Sequence, residues 1–146
     1  MLNLVANLGG FDGTRQQLAQ LVFDQVTTFP ETHHQAEWFN DDCGTVACVS
    51  GWAQLFCDGY VQGRLSDSRA SHRRGQELLG LSDYDATRLF YMVNNDQAKL
   101  ALKYLANGET IDWAVVGHKF RSDDALKEQM DMHRRIYWNE PVWGAE

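Results

Sequence analysis

Apolar positions recur at helical spacing along most of the chain. Leu18, Leu21, Val22, Val26 and Phe29 lie three and four apart, which predicts one apolar helix face with Asp12 as its N-cap and Pro30 as its stop. From Glu31 to Asp42 the period disappears, and His33, His34, Trp38 and Phe39 crowd an irregular, aromatic-anchored connector. Residues 45–57 carry no charge, and a helix apolar on nearly every side belongs in a core. The expected start of that helix is at Asp41, Asp42 and Thr45, with Thr45 as its cap, and its stop is at Asp58-Gly59. Gly51 inside it costs about 1 kcal/mol relative to alanine, so it predicts the close approach of another helix. Ser50 reads as a second small residue for tight packing, and Trp52 as a core anchor.

Further along, Ser68 is the expected cap of a polar helix ending at Leu79, with Gly80 beyond it. Ser82 caps the next helix, whose inner face is Ala86, Leu89, Phe90 and Val93. Asn94-Asn95 interrupts the pattern before a face of Ala98, Ala101, Leu102 and Leu105, which ends at Asn107-Gly108. Thr110 then caps a short turn through Ile111, Trp113 and Val116, although Val115-Val116 also reads as extended chain. A last helix from Ser122 to Pro141 sets Leu126, Met130, His133 and Tyr137 on one side. No alternation typical of strands exceeds four residues, and no long repeat is visible. The expected fold is all-α: one compact domain over residues 1–146, with about six helices around a buried central helix at 45–57.

Composition narrows the function classes. A chain of 146 residues with 44% hydrophobic content and five tryptophans has material for one core, which excludes wholesale disorder. No stretch approaches the roughly 20 apolar residues of a membrane span, and residues 1–10 lack the pattern of a secretory signal. Three cysteines, an odd number, do not suit a secreted disulfide scaffold, so the expected location is a reducing cytoplasm. The net charge of −7 argues against a general nucleic-acid binder. Nearly all of that charge belongs to residues 1–60, where seven acidic side chains face Arg15 alone. Such a face, with Asp41 and Asp42 at its centre, steers a basic partner, and it also serves as plain solubilising surface. Arg64, Arg69, His72, Arg73 and Arg74 form a basic counterpart in which Arg69 and Arg73 are one helical turn apart. Near the C-terminus, Trp138 and Trp143 either fold back onto the domain or mark a binding patch.

The most distinctive run is Cys43-Gly44-Thr45-Val46-Ala47-Cys48-Val49-Ser50-Gly51-Trp52-Ala53. With Phe29-Pro30 and Trp38-Phe39 upstream, and Leu79-Gly80-Leu81 and Leu89-Phe90 downstream, it resembles a family of small bacterial and phage proteins. The signature of that family is Cys-Gly-Thr-x-x-Cys-Ile/Val-x-Gly-Trp/His. The resemblance covers roughly residues 18–91 and departs at His33-His34-Gln35-Ala36-Glu37, where members often carry a Phe-Asp-Met-like run. It implies a bacterial or phage origin in the cytoplasm, and it brings no assigned activity.

Two chemistries use the same run. Cys43, before Gly44 at an expected helix start, resembles the nucleophile of papain-like and bacteriocin-processing peptidases, and the stretch from Trp113 to His118 is similar to that around their histidine. Those enzymes carry that histidine on a strand, which this chain does not predict, and Asp41 and Asp42 oppose a thiolate at Cys43. Zinc is the other possibility, with Cys43, Cys48 and either His33 or His34, but the tight ligand pairs of structural zinc sites are missing. The expectation is therefore a non-enzymatic protein-binding module without cofactor or metal, possessing Asp41, Asp42, Arg69, Arg73, Trp138 and Trp143 as candidate contact residues. A phage protein of this kind would bind a host protein and modulate it or a defence system. A cysteine-dependent hydrolase or transferase using Cys43 and His118 is the alternative.

Overall fold

A computed structural model describes residues 3–39, 46–65 and 67–117. Among the described residues six helices follow in order: α1 (Arg15–Thr28), α2 (Val49–Asp58), α3 (Ser68–Leu79), α4 (Asp83–Tyr91), α5 (Asn95–Ala106) and the single turn α6 (Trp113–Val116), with a 3-10 turn at Pro30–Thr32 after α1. The described residues contain no strand beyond an isolated parallel bridge between His33 and Ala47. The architecture is all-α, as the spacing of apolar positions predicts. No described helix is long and apolar enough to cross a membrane.

The uncharged helix lies at the centre. Every residue of α2 from Val49 to Phe56 is buried, and the Trp52 ring lies 5.5 Å from that of Phe56. Helix α3 covers one side of α2, while α1 packs chiefly on α5. The faces expected for α1, α4 and α5 are inside through Leu18, Val22 and Val26, through Ala86, Leu89 and Phe90, and through Ala98, Ala101 and Leu102.

Several boundaries differ from expectation, each because a different side chain reaches the free N–H groups of a first turn. Thr14, directly before Arg15, caps α1 in a reciprocal pair with Gln17, so Asp12 does not. Asp67 caps α3 in place of Ser68, and Asp112 caps α6 in place of Thr110, holding Val115-Val116 helical. Helix α2 starts at Val49, later than expected, because Val46 and Ala47 run extended beside His33. The Ala47 N–H donates to the Thr32 carbonyl (3.0 Å), and the Ala47 carbonyl accepts from the His34 N–H (3.1 Å). The cap is then Cys48, whose Sγ accepts from the Gly51 N–H at 3.5 Å.

Small residues in α2 set the packing. At Gly51 an added Cβ would fall on the Trp38 carbonyl oxygen and come within 2.8 Å of the Ala47 Cβ. The glycine thus admits the connector backbone, whereas a neighbouring helix was expected there. Helix-to-helix approach occurs instead at Gly75 of α3, where a Cβ would strike the Ser50 hydroxyl. That hydroxyl donates to the Ser71 carbonyl at 2.9 Å.

The C-terminal end of α2 is closed by the start of the chain. The N–H groups of Gly9, Gly10 and Phe11 donate to the carbonyls of Leu55 (2.8 Å), Cys57 (3.0 Å) and Phe56 (3.1 Å). The last carbonyls of a buried helix have no partner of their own kind, so this cap satisfies them away from water. Gly9 and Gly10 both take positive φ, +80° and +81°, which a side chain would strain. Buried Gln25 of α1 fastens the same segment, accepting from the Val5 N–H (3.0 Å) and donating to the Asn3 carbonyl (2.7 Å).

Just past that cap, Asp58 clamps two arginines: Arg64 at 2.7 Å and Arg74 at 2.8 and 2.9 Å. Chiefly the Arg74 hydrogen bond holds the Asp58 carboxyl below its ordinary range. A depressed carboxyl pKa means stability that is full above the ordinary value near 3.9 and is lost as pH falls through the lowered one. The stability gap between the wild type and Asp58→Asn, measured by urea unfolding at stepped pH, is therefore expected to be wide at pH 7 and to narrow as the pH falls below the ordinary carboxyl range. A gap of constant width would show that the clamp contributes no pH dependence.

Candidate functional site

Four parts of the chain meet around a cleft of about 370 Å³. The connector supplies Gln35, Ala36 and Trp38, the cap of α2 supplies Cys48, α3 begins at it with Ser68, and α4 ends at it with Phe90 and Tyr91. A larger and more open groove at Arg15, Arg73 and Gln76 has charged side chains of both signs and no aromatic ring on its wall.

Gln35 fixes the inner wall. Its backbone N–H donates to Asn95 Oδ1 (2.8 Å) and its Nε2 donates to the Leu89 carbonyl (2.6 Å), which orients the amide. Oε1 then faces the Val49 N–H at 3.3 Å and His33 Nε2 at 2.8 Å, and because Oε1 can only accept, His33 carries its proton on Nε2. Burial, above all, lowers the His33 pKa and keeps the ring neutral. The outer wall is aromatic. Trp38 meets Phe90 (5.9 Å between centroids, 72°) and Tyr91 (5.6 Å, 86°) edge to face. Its Nε1–H donates to Ser68 Oγ at 3.1 Å. Behind Tyr91, His72 stacks at 5.4 Å, and its Nδ1 lies 2.9 Å from the Tyr91 hydroxyl.

The thiol on this cleft is chemically quiet. Cys48 is 1% exposed, and burial pushes its pKa up to about 11, against the smaller opposing effect of the Gly51 N–H. At neutral pH it is a protonated helix cap, neither nucleophile nor thiolate ligand. His33 is likewise committed to Gln35. Among the described residues no three His, Cys, Asp or Glu side chains come together to hold a metal ion.

The sequence-predicted contact residues separate. Arg69 and Arg73 are exposed one turn apart on α3, as their spacing requires. The rest of the basic cluster does not join them, since Arg64 and Arg74 are drawn to Asp58 and His72 is buried against Tyr91. Asp41, Asp42, Cys43, His118, Trp138, Trp143 and the expected helix from Ser122 lie outside the described residues. Gln35, Ala36, Ser68, Phe90 and Tyr91 were not singled out as site residues from the sequence. The local signal for Gln35 and Trp38 was the loss of period after Glu31, which leaves them with no helix face to join. Compared with known proteins, the chain matches no family model, no curated protein and no solved structure.

Proposed function

We propose that the chain is a non-enzymatic binding module that takes a segment of a protein partner into the cleft lined by Gln35, Trp38 and Tyr91. One observation carries this reading: the thiol of Cys48, the cysteine among the described residues that line the cleft, is buried, protonated and used as a helix cap. The two imidazoles behind the cleft wall are engaged and buried, His33 on Gln35 and His72 on Tyr91. What remains is a recess with aromatic rings and a few fixed polar groups on its wall, which supports a binding site. The net charge of −7 favours approach by a basic surface. Together with the resemblance to small bacterial and phage proteins, this supports a cytoplasmic role in which a phage-encoded chain binds a host protein and modulates it or a defence system.

Ala36 is exposed at the mouth of the cleft, so Ala36→Trp fills the recess without entering the core. Peptides selected by display against the wild type are expected to share an aromatic anchor and to lose at least about tenfold in Kd on Ala36→Trp, as removal of a buried anchor does. The circular dichroism and melting temperature of the variant should stay unchanged. Binders indifferent to Ala36→Trp, or a selection that yields none, would remove the cleft from the function.

A further inference from the structure

The binding role uses the start of α2 and leaves its other end unexplained. There residues 3–11 run without helix or strand, and none of them is buried, whereas Val49 to Phe56 all are. Leu4, Val5, Leu8 and Phe11 rest half-buried on the core. Local bonds fasten the segment. The Gly9, Gly10 and Phe11 N–H groups meet the α2 carbonyls, the Gln25 amide holds Val5 and Asn3, and Asn3 Nδ2 donates to Glu31 at 2.9 Å.

The bundle keeps its own supports when these bonds are released. Thr14 and Gln17 cap α1 by themselves, and Leu18, Val22 and Val26 keep that helix on the core. Gln25 retains its bond to Thr32 Oγ1 (3.1 Å), and the Leu55 carbonyl retains the Gly59 N–H (3.0 Å). Exposed Asp12 and Gly13 join the segment to α1. A segment with few buried contacts, ending at an exposed joint, opens at a lower free energy than the bundle unfolds.

Beside this joint lies a recess of about 180 Å³, with Phe11 on one wall and Leu18, Cys57, Asp58 and Arg74 on the others. Cys57 belongs to the last turn of α2, with its carbonyl bound by Gly10 and its side chain half-buried. Burial first, and the Asp58 carboxylate second, raise its pKa against the opposing Arg74, so the thiol is protonated in the closed arrangement.

We propose that residues 3–11 are a strap that opens as one unit while the helices stay folded, baring the last turn of α2 and the Cys57 thiol. The strap and the cleft sit at opposite ends of α2, so this inference stands or falls apart from the binding role.

The two ends of α2 carry the reporters, since Cys48 caps its start and is 1% exposed. Alkylation of the native full chain at about pH 8 is followed at each cysteine by peptide mass spectrometry, in urea below the unfolding transition. Cys57 is expected to react at least roughly tenfold faster than Cys48 and with a shallow urea dependence, while Cys48 follows the steep dependence of global unfolding. Gly10→Ala distinguishes a gated thiol from one that is simply open. The added Cβ meets nothing within 4 Å, and its φ of +81° is strained only while the strap is closed. The variant should therefore raise the Cys57 rate roughly five- to thirtyfold. In hydrogen exchange of the wild type, the N–H groups of Val5, Gly9, Gly10 and Phe11 should share one protection factor, well below that of the Trp52 N–H. A Cys57 rate unchanged by Gly10→Ala means that the strap does not cover the thiol. A Cys57 slope as steep as that of Cys48 means that the strap leaves only when the bundle unfolds. Either result, or unequal protection among the four amides, overturns the inference.

Discussion

Trp52→Ala is expected to remove about 4–5 kcal/mol of stability, most of what a domain of this size holds. The ring is fully buried at the centre of α2, so its loss leaves a large cavity lined by core atoms that cannot all collapse inward. Its Nε1–H also donates to the Thr32 carbonyl at 2.8 Å, at the turn where the connector begins. Truncation therefore removes one of the two hydrogen bonds that this carbonyl accepts, leaving only that from the Ala47 N–H, as well as opening a void. Urea unfolding checks this, with Trp52→Phe as the partner variant. The phenylalanine keeps much of the packing and loses the hydrogen bond, for a cost of about 1–2 kcal/mol. A cost below about 2 kcal/mol for the alanine variant would mean that the core does not rest on this residue.

Gly51→Ala should also be destabilising, by about 3 kcal/mol, which corresponds to a fall in Tm of roughly 6–12 °C. In an ordinary helix interior the same change gains up to about 1 kcal/mol, so the sign of the effect is itself the test. The new methyl would occupy the place of the Trp38 carbonyl oxygen and press on the Ala47 Cβ, which sits on backbone held by the hydrogen bonds to Thr32 and His34. Relief would require Trp38 to move, and with it the aromatic wall of the cleft. A thermal scan showing a gain in stability would place the connector away from the first turn of α2.

The helices were legible because each has an apolar stripe that only one period explains. Leu18, Val22 and Val26, or Ala98, Ala101 and Leu102, define their inner faces without knowledge of any neighbour. The caps were less legible, since Asp12 and Thr14, Thr45 and Cys48, or Thr110 and Asp112 are all plausible acceptors within a few positions. The choice falls to whichever residue the tertiary path leaves extended. At α2 that path is the bridge between His33 and Ala47, a contact between segments that no local pattern announces. The basic cluster failed for a related reason: arginine spacing on α3 gives the face each residue occupies, but not that Asp58 waits across the gap for Arg64 and Arg74. The cleft was beyond reach altogether. Its walls come from residues 35–38, 48, 68 and 90–91, and they adjoin only once α2, α3 and α4 have packed.

The cap that Gly9, Gly10 and Phe11 place on α2 has a mechanical consequence. The loop it closes contains the whole of α1, so that helix is tethered at both ends, through this cap and through the connector. A pull on residues 3–8, by a protease or a partner gripping them, is transmitted to the last turn of the core helix. The segment 3–11 is in this sense the latch of the bundle, and opening it would unfasten α1 and α2 together.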